Sequence, residues 1–477
     1  MTDRREDSVR ASFVTLSFCV LLACGGRTTP LLAAEPPTAN PQSALSSLLL
    51  IHVGAAGCAT IVSTPQGGGP PIQSACIPVV PGDARLASLG LGPSTTYTQR
   101  VTLNAGGEIA TVTAGTFVTG ALPALLQPVH LQTSGPAFDG YLLMQVLTGT
   151  ELWAAAFDST GAIRWYADLG ESGFGELKQQ PNGDFTSFVG ASNGSTDVPS
   201  GHYVELRPSG ELVASYVAPP PLLTDGHELR LGIDASGQTV AHFFGYQIGE
   251  EALPPDGAQG LVAMHSLVRL DGGRLDFELA TNSFRSIADW IEPPFNLPAA
   301  DFDHPNALQI DSNGNYLVSY RALGEVDSID ATTGKVLWTL GGTHSTLTIV
   351  GDPEGFFSAQ HCARLLPNGN VLLYDNGWRH SPQETRAAEY AIDLAHHTAT
   401  LVWQHHHSPA VFTPYMGSVQ RLLNGDTVVA FSYAGAIDEV APDGTLVWQG
   451  TLMLNASTSG VFYRAIRIAA LDEYREP

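Results

Sequence analysis

Three short runs of this chain share one pattern. His227-Glu228-Leu229-Arg230-Leu231, His304-Pro305-Asn306-Ala307-Leu308 and His361-Cys362-Ala363-Arg364-Leu365 each open on a histidine and are followed by a turn glycine, at Gly237, Gly314 and Gly369. A fourth run, Ser418-Val419-Gln420-Arg421-Leu422 before Gly425, puts a serine in the histidine's place. Seven residues beyond the glycine stand Arg321, Asn376 and Ser432 in three of these runs. Neutral imidazoles gathered from several strands bind zinc or related ions. They also act as nucleophiles and as general acids and bases, and a set of three lets those roles be divided. Arg321 decides between the two chemistries: its planar fork suits a tetrahedral oxyanion, whereas a fixed positive charge beside a divalent cation is unfavourable. The expectation is therefore a site for an anion such as a sulfuryl or phosphoryl group, with no metal. The alternative is that the histidines cap strands and bond to neighbouring backbone, which is less economical for three at one repeat position.

Residues 77 and 57 positions apart meet only if a repeating architecture brings them together. Such a repeat is present from about residue 140. Closing segments read TGAIRW (160–165), SGELVASY (209–216), GGRLDF (272–277), TGKVLW (333–338), HTATLVW (397–403) and DGTLVW (443–448), their ends 45 to 65 residues apart. A turn followed by alternating aliphatics and an aromatic suits the outer strand of a propeller blade, and six endings predict a six-bladed β-propeller. The strand leading into each first turn is then the innermost, so His227, His304, His361 and Ser418 start strands that line one axis.

Composition agrees with an all-β fold. Fifty glycines and 32 prolines are spread along 477 residues, as many short strands and tight turns require. Only 22 basic residues, two of them lysines, face 46 acidic ones, and the net charge of −24 argues against a nucleic-acid partner. No run of about 20 apolar residues is present to span a bilayer.

The N-terminus reads as an address. Arg4, Arg5 and Arg10 precede the apolar run Phe13 to Ala23, which ends at Cys24. Leu21-Leu22-Ala23-Cys24 resembles a bacterial lipobox, with Cys24 the point of lipid attachment; a plain secretory signal cleaved near Ala33-Ala34 is the alternative. Either way the mature chain is expected to be exported, to a periplasmic or cell-surface face, with Gly25 favouring an outer membrane if the host has one. The expected organisation is a lipoprotein signal over 1–23, a flexible tether over 24–47, a small β-sandwich over 48–135 and the propeller over 136–477. The sandwich rests on short alternating runs and on Leu91 to Tyr97 followed by the segment 115–119, which resembles the end of a fibronectin type III or immunoglobulin-like domain with a tyrosine pinning a corner. Cys58 and Cys76 are either a disulfide that stabilises this small core or two buried thiols.

The segments 301–342 and 357–377, DFDHPNALQIDSNGNYLVSYRALGEVDSIDATTGKVLWTLGG and FSAQHCARLLPNGNVLLYDNG, resemble the signature stretches of the arylsulfotransferase family. These are bacterial six-bladed propellers that use no nucleotide sulfate donor. The resemblance extends over roughly 140–470. It implies that His361 of the Gln-His motif is transiently sulfated, that His304, Asn306 and Arg321 hold the sulfuryl oxygens, and that His227 is a further catalytic histidine. It carries Ser418 only as a small hydroxyl facing the site. The implied reaction is ping-pong transfer from an aryl sulfate to a phenol, with small molecules as partners, a lipidated N-terminus as the contact with membrane, and no cofactor.

Two other readings use the same sequence. One is a non-catalytic surface propeller that binds a ligand or protein, since a fold alone licenses no activity. The other is an aryl sulfate hydrolase in which water replaces the phenol. Cys362 is expected to point away from His361 into packing, because neighbours on a strand face opposite sides. The triplet His405-His406-His407 is expected to split between two faces for the same reason and not to form a metal site. Trp290 and Phe295, in the segment 282–300, are candidates to roof the channel.

Overall fold

The computed structural model describes residues 30–192, 199–254, 257–291 and 299–472. The signal segment 1–23, the lipobox cysteine Cys24 and Phe295 lie outside the described residues.

The described residues form an all-β protein in which the only helical segments are three short 3-10 turns. Two sheets make the N-terminal part. One joins Leu32–Ala34, Thr38–Ala39, Ser47–Val53 and Gly82–Ser88; the other joins Gly57–Pro65, Ile72–Gln73, Ile77–Val79, Thr96–Ala105 and Glu108–Val118. They share one core, because alternate residues such as Leu49, Ile51, Ile61, Val101 and Leu103 point to it and are buried. Tyr97 is buried and its hydroxyl accepts from the Gly92 amide at 2.8 Å, fixing the corner expected of it. Cys58 and Cys76 are joined as a disulfide.

The expected tether needs correction. From Leu32 onward the chain is packed: Leu32–Ala34 pairs with Ile51 to Val53, and Leu45 is buried with Trp153 and Tyr166. The Ala44 amide donates to the Tyr166 hydroxyl at 3.0 Å, so this segment also ties the N-terminal part to the strand Ile163–Glu171. Leucines at 32 and 45 gain more from burial than a solvated linker would allow. The boundary at 135 also shifts, since His130–Ser134 pairs with Leu446–Met453 and so belongs to a sheet of the C-terminal part.

That part is a succession of antiparallel sheets. The first holds Tyr141–Thr148, Glu151–Phe157 and Ile163–Glu171, with Ala465–Ile468 from the far end of the chain added beside Tyr141–Thr148. Next comes a nine-stranded sheet running from Leu177–Gln179 to Arg274–Ala280. It unites two of the expected repeat units through one residue pair, Gly201 with Thr224. A side chain at Gly201 would run into the Val189 carbonyl, so glycine permits the close approach. Three sheets follow, led by Pro305–Ile310, His361–Leu365 and Ser418–Arg421, and the last is closed on its outer edge by His130–Ser134. All six turn-plus-aromatic endings of the sequence lead into or lie on strands, among them Ile163–Glu171, Leu212–Tyr216, Val336–Gly341 and Leu446–Met453.

Five strands lead into first turns, Leu177–Gln179, Leu223–Ile233, Pro305–Ile310, His361–Leu365 and Ser418–Arg421, and Ala465–Ile468 takes the corresponding edge of the first sheet. Each contributes at least one residue to the wall of a single cavity.

Candidate active site

The three histidines do converge. His227 and His304 meet edge to face with ring centroids 4.6 Å apart, and His304 and His361 lie 6.5 Å apart. All three are buried, as is Arg321. The Arg321 backbone amide donates to the His304 carbonyl at 3.0 Å, which fixes the start of the arginine's turn against the histidine's strand.

Each ring is held by its Nδ1. For His361 the neighbours of Nδ1 are the Asn376 side-chain oxygen at 2.8 Å and the Ala359 carbonyl at 3.1 Å. Both are acceptors when the Asn376 amide is oriented by its own donations to the Thr413 and Met416 carbonyls at 2.7 and 3.1 Å. Nδ1 therefore carries the proton, and Nε2 keeps the lone pair. Burial and then the Arg321 charge, with His304 adding to them, hold the His361 ring well below the usual histidine range, so it is neutral at physiological pH. His304 Nδ1 lies 2.7 Å from Asp301, and His227 Nδ1 lies 2.9 Å from Asp225. A carboxylate at Nδ1 orients the ring, as a group that moves a proton requires.

A residue that the sequence pattern did not reveal links these carboxylates. His265, fully buried on Ala258–Asp271, places Nδ1 2.7 Å from Asp303 and Nε2 3.6 Å from Asp225. Burial alone would lower its pKa, but Asp303 and Asp301 overcome this and hold it well above the usual value. His265 is thus a buried cation between the acid that orients His227 and the pair beside His304. Asp225 is correspondingly held below the ordinary carboxylate range by His227 and His265 against its burial, whereas burial pushes Asp301 up to about 6. Ligand atoms of His265, Asp301 and Asp303 lie close enough together to suit a metal ion.

Backbone strain concentrates here. His304, Ala359, Cys362 and Met416 have φ of 46°, 52°, 51° and 60°, a region that non-glycine residues rarely occupy and that is retained where the surroundings enforce it. At Cys362 the left-handed residue accompanies a bulge, since the pairing register shifts between His361 and Arg364. Cys362 is buried as expected, with its Sγ against the Val419 carbonyl, and it also touches a cavity among the inner strands.

Two candidates take other roles. The Asn306 side-chain amide donates to the Gln360 carbonyl at 2.7 Å, just before His361, which makes it a strut for that strand. Ser418 gives its hydroxyl to the Ala465 carbonyl and accepts from the Ala465 amide, at 3.1 and 3.2 Å, joining two inner strands. Its strand pairs without a register shift. Trp290 packs in the cluster with Phe284 and Tyr320. His405 and His407 share Asp438 at 2.9 Å each, whereas His406 bonds Glu384, so the triplet divides as expected.

Nothing in the repeat pattern marks the aromatic residues near the arginine. Trp378 and Tyr415, both half-buried, have ring centroids 5.9 and 6.0 Å from the Arg321 guanidinium carbon. Phe412 extends the group, 5.8 Å from Trp378.

Fold and site together define an all-β protein that presents a neutral, oriented imidazole beside a guanidinium, with two carboxylate-backed imidazoles at hand. Residues 297–453 match the model of the arylsulfotransferase (ASST) family, and this stretch contains His304, Arg321 and His361. His227 lies ahead of the matched stretch. Among solved structures, a protein of unknown function from Bacteroides caccae is similar at TM-score 0.41 and 14% identity over 69% of this chain and 98% of that one. A streptogramin B lyase is similar at TM-score 0.36 and 12% identity, over 69% and 88%. A virginiamycin B lyase from Staphylococcus aureus, in complex with quinupristin, is similar at TM-score 0.32 and 8% identity, over 68% and 99%. No curated protein sequence matches significantly.

Proposed function

We propose that this protein is an aryl-sulfate sulfotransferase that moves a sulfuryl group from an aryl sulfate to a phenol through a sulfated His361. The observation that carries the reading is the state of His361: its Nδ1 faces two acceptors, and Arg321 helps to keep the ring neutral. Such a ring offers Nε2 as a nucleophile without prior loss of a proton.

In the first half-reaction the Nε2 lone pair forms a bond to sulfur while the bond from sulfur to the aryl oxygen breaks. The electron pair leaves on that oxygen, which takes a proton from His304 or His227, each backed by its own carboxylate. Arg321 stabilises the charge on the equatorial oxygens. The product is N-sulfohistidine and a phenol. In the second half-reaction an acceptor phenol loses its proton to the same acid–base histidine, attacks sulfur, and frees the His361 lone pair. Asn306 contributes by positioning the strand of His361. Trp378, Tyr415 and Phe412 supply faces against which an aryl ring stacks beside its anionic sulfate, whose counterion is Arg321.

The fold reading that goes with this is a six-bladed propeller in which Ala465–Ile468 closes the ring beside Tyr141–Thr148, preceded by a β-sandwich. The mature chain is exported and anchored through lipidated Cys24. A chromogenic aryl sulfate, assayed with and without excess phenol beside His361→Asn, tests the function. Release that requires phenol and is lost in the variant supports transfer, and phenol-independent release would instead indicate hydrolysis.

A further inference from the structure

The axis has a second end. A cavity of about 300 Å³ lies there, and five of the six inner strands place a cation in its wall: Lys178, Arg230, Arg364, Arg421 and Arg467. The sixth strand contributes Gln309. Among the described residues no carboxylate lines the wall, although acidic residues outnumber basic ones 46 to 22 in the chain. Arg230, Arg364 and Arg421 stand three residues after His227, His361 and Ser418. Such a step normally reverses the face of a strand, but register shifts precede Leu229 and Arg364 in the first two strands. In those strands the shift lets the histidine serve one end of the axis and the arginine the other.

The acids that meet these cations sit behind the wall. Glu228 contacts Lys178, Arg230, Arg364 and Arg464; Glu176 contacts Lys178 and Arg464; Glu389 bonds Arg421 and Glu439 bonds Arg467. With Arg464 included, six cations meet four carboxylates. Burial and the neighbouring Glu228 also push Glu176 up to about 7, so the excess positive charge increases as pH falls. The Nε groups of Arg421 and Arg467 are buried donors with no partner among the described residues. The wall also holds Gln179 and Gln420, together with apolar residues that include Leu366, Leu422 and Leu423, the last of them 75% exposed.

We propose that this cavity is a second ligand site, distinct from the histidine site, for a small organic anion that carries a carboxylate or sulfonate head on an apolar body. The cation ring takes the head, and the leucine rim covers the body. The Arg464–Glu228 network separates the two ends of the axis, so occupation here does not require the chemistry proposed for His361.

The probe is 1-anilinonaphthalene-8-sulfonate, an apolar ring system with a sulfonate, titrated against the folded protein by fluorescence. Saturable one-to-one binding is expected, weakened by salt, displaced by octanoate, and displaced poorly by inorganic sulfate. Leu423→Glu, at an exposed position the fold does not depend on, should weaken binding at least tenfold. Arg421→Gln should weaken it several-fold, and His361→Asn should leave it unchanged. Absence of saturable binding, equal affinity in Leu423→Glu and Arg421→Gln, or loss in His361→Asn would overturn the proposal. Displacement by sulfate as readily as by octanoate would overturn the assignment of an apolar body.

Discussion

His265 stands between Asp225 and Asp303, 3.6 Å from one carboxylate and 2.7 Å from the other, and so joins the acid that orients His227 to the group that flanks His304. The two acid–base candidates thus share one electrostatic support beneath them. Each keeps its own orienting carboxylate, and neither acid is left unpaired in the interior.

Replacing His265 by leucine should cost about 3–5 kcal/mol, the usual penalty for removing one partner from a buried charge network. Because the folded His265 titrates above its usual 6.5, its contribution is complete below that pH and is lost as pH rises through the folded value. Denaturant melts of wild type and His265→Leu should therefore differ most at pH 6 and converge in alkaline solution. An equal gap at all pH values would show that the ring acts by packing alone.

In the proposed mechanism Asn376 acts by positioning His361. Asn376→Leu removes the acceptor that holds the His361 Nδ1 proton, and kcat should fall about 10- to 100-fold, equivalent to ~1.4–2.7 kcal/mol. KM for the donor should change little, because the aromatic faces and Arg321 are untouched. Steady-state kinetics of the variant separates the two parameters, and a rise in KM at constant kcat would contradict this role.

The pH profile discriminates between groups. His361 is held well below 6.5 by its burial and by Arg321, so its protonation should not limit activity at mildly acid pH. Asp301, at about 6, should instead set the acid limb as it takes up a proton and its bond to His304 changes character. In Arg321→Met kcat should fall while the acid limb stays where Asp301 sets it, because burial, the larger cause, still holds His361 down. A limb that moves to higher pH in that variant would show that His361, and not Asp301, is the group that titrates there.

The disulfide closes a loop between residues 58 and 76 in a small core. Its removal in a Cys58→Ser, Cys76→Ser variant should destabilise the N-terminal part by about 3 kcal/mol. Thermal unfolding would show this as an early transition, with catalytic activity retained below it.

The architecture was legible because it repeats. Six turn-and-aromatic endings fell on or led into strands, and similar runs that open on a histidine and end on a turn glycine identified His227, His304 and His361 as neighbours. What supports those rings was harder to read. Asp225 and Asp301 stand two and three residues before their histidines, a local signal that the repeat pattern does not single out. His265 sits in the middle of an ordinary apolar strand, and nothing in its neighbours marks it. Ser418 misled because it shares the repeat position but not the bulge; the pairing of its strand is regular and its hydroxyl joins backbone to backbone. The Pro-rich segment before Ser47 looked solvated by composition, whereas two leucines and an edge pairing hold it in place.

The most direct measurement is to mix the protein with an excess of aryl sulfate in the absence of any phenol acceptor, quench in alkali, and determine the intact and peptide masses. The account predicts an increment of one SO₃ group, mapped to the peptide at His361, absent in His361→Asn, and discharged when phenol is added. An increment on another residue, or turnover with acceptor but no such adduct under rapid quench, would contradict it.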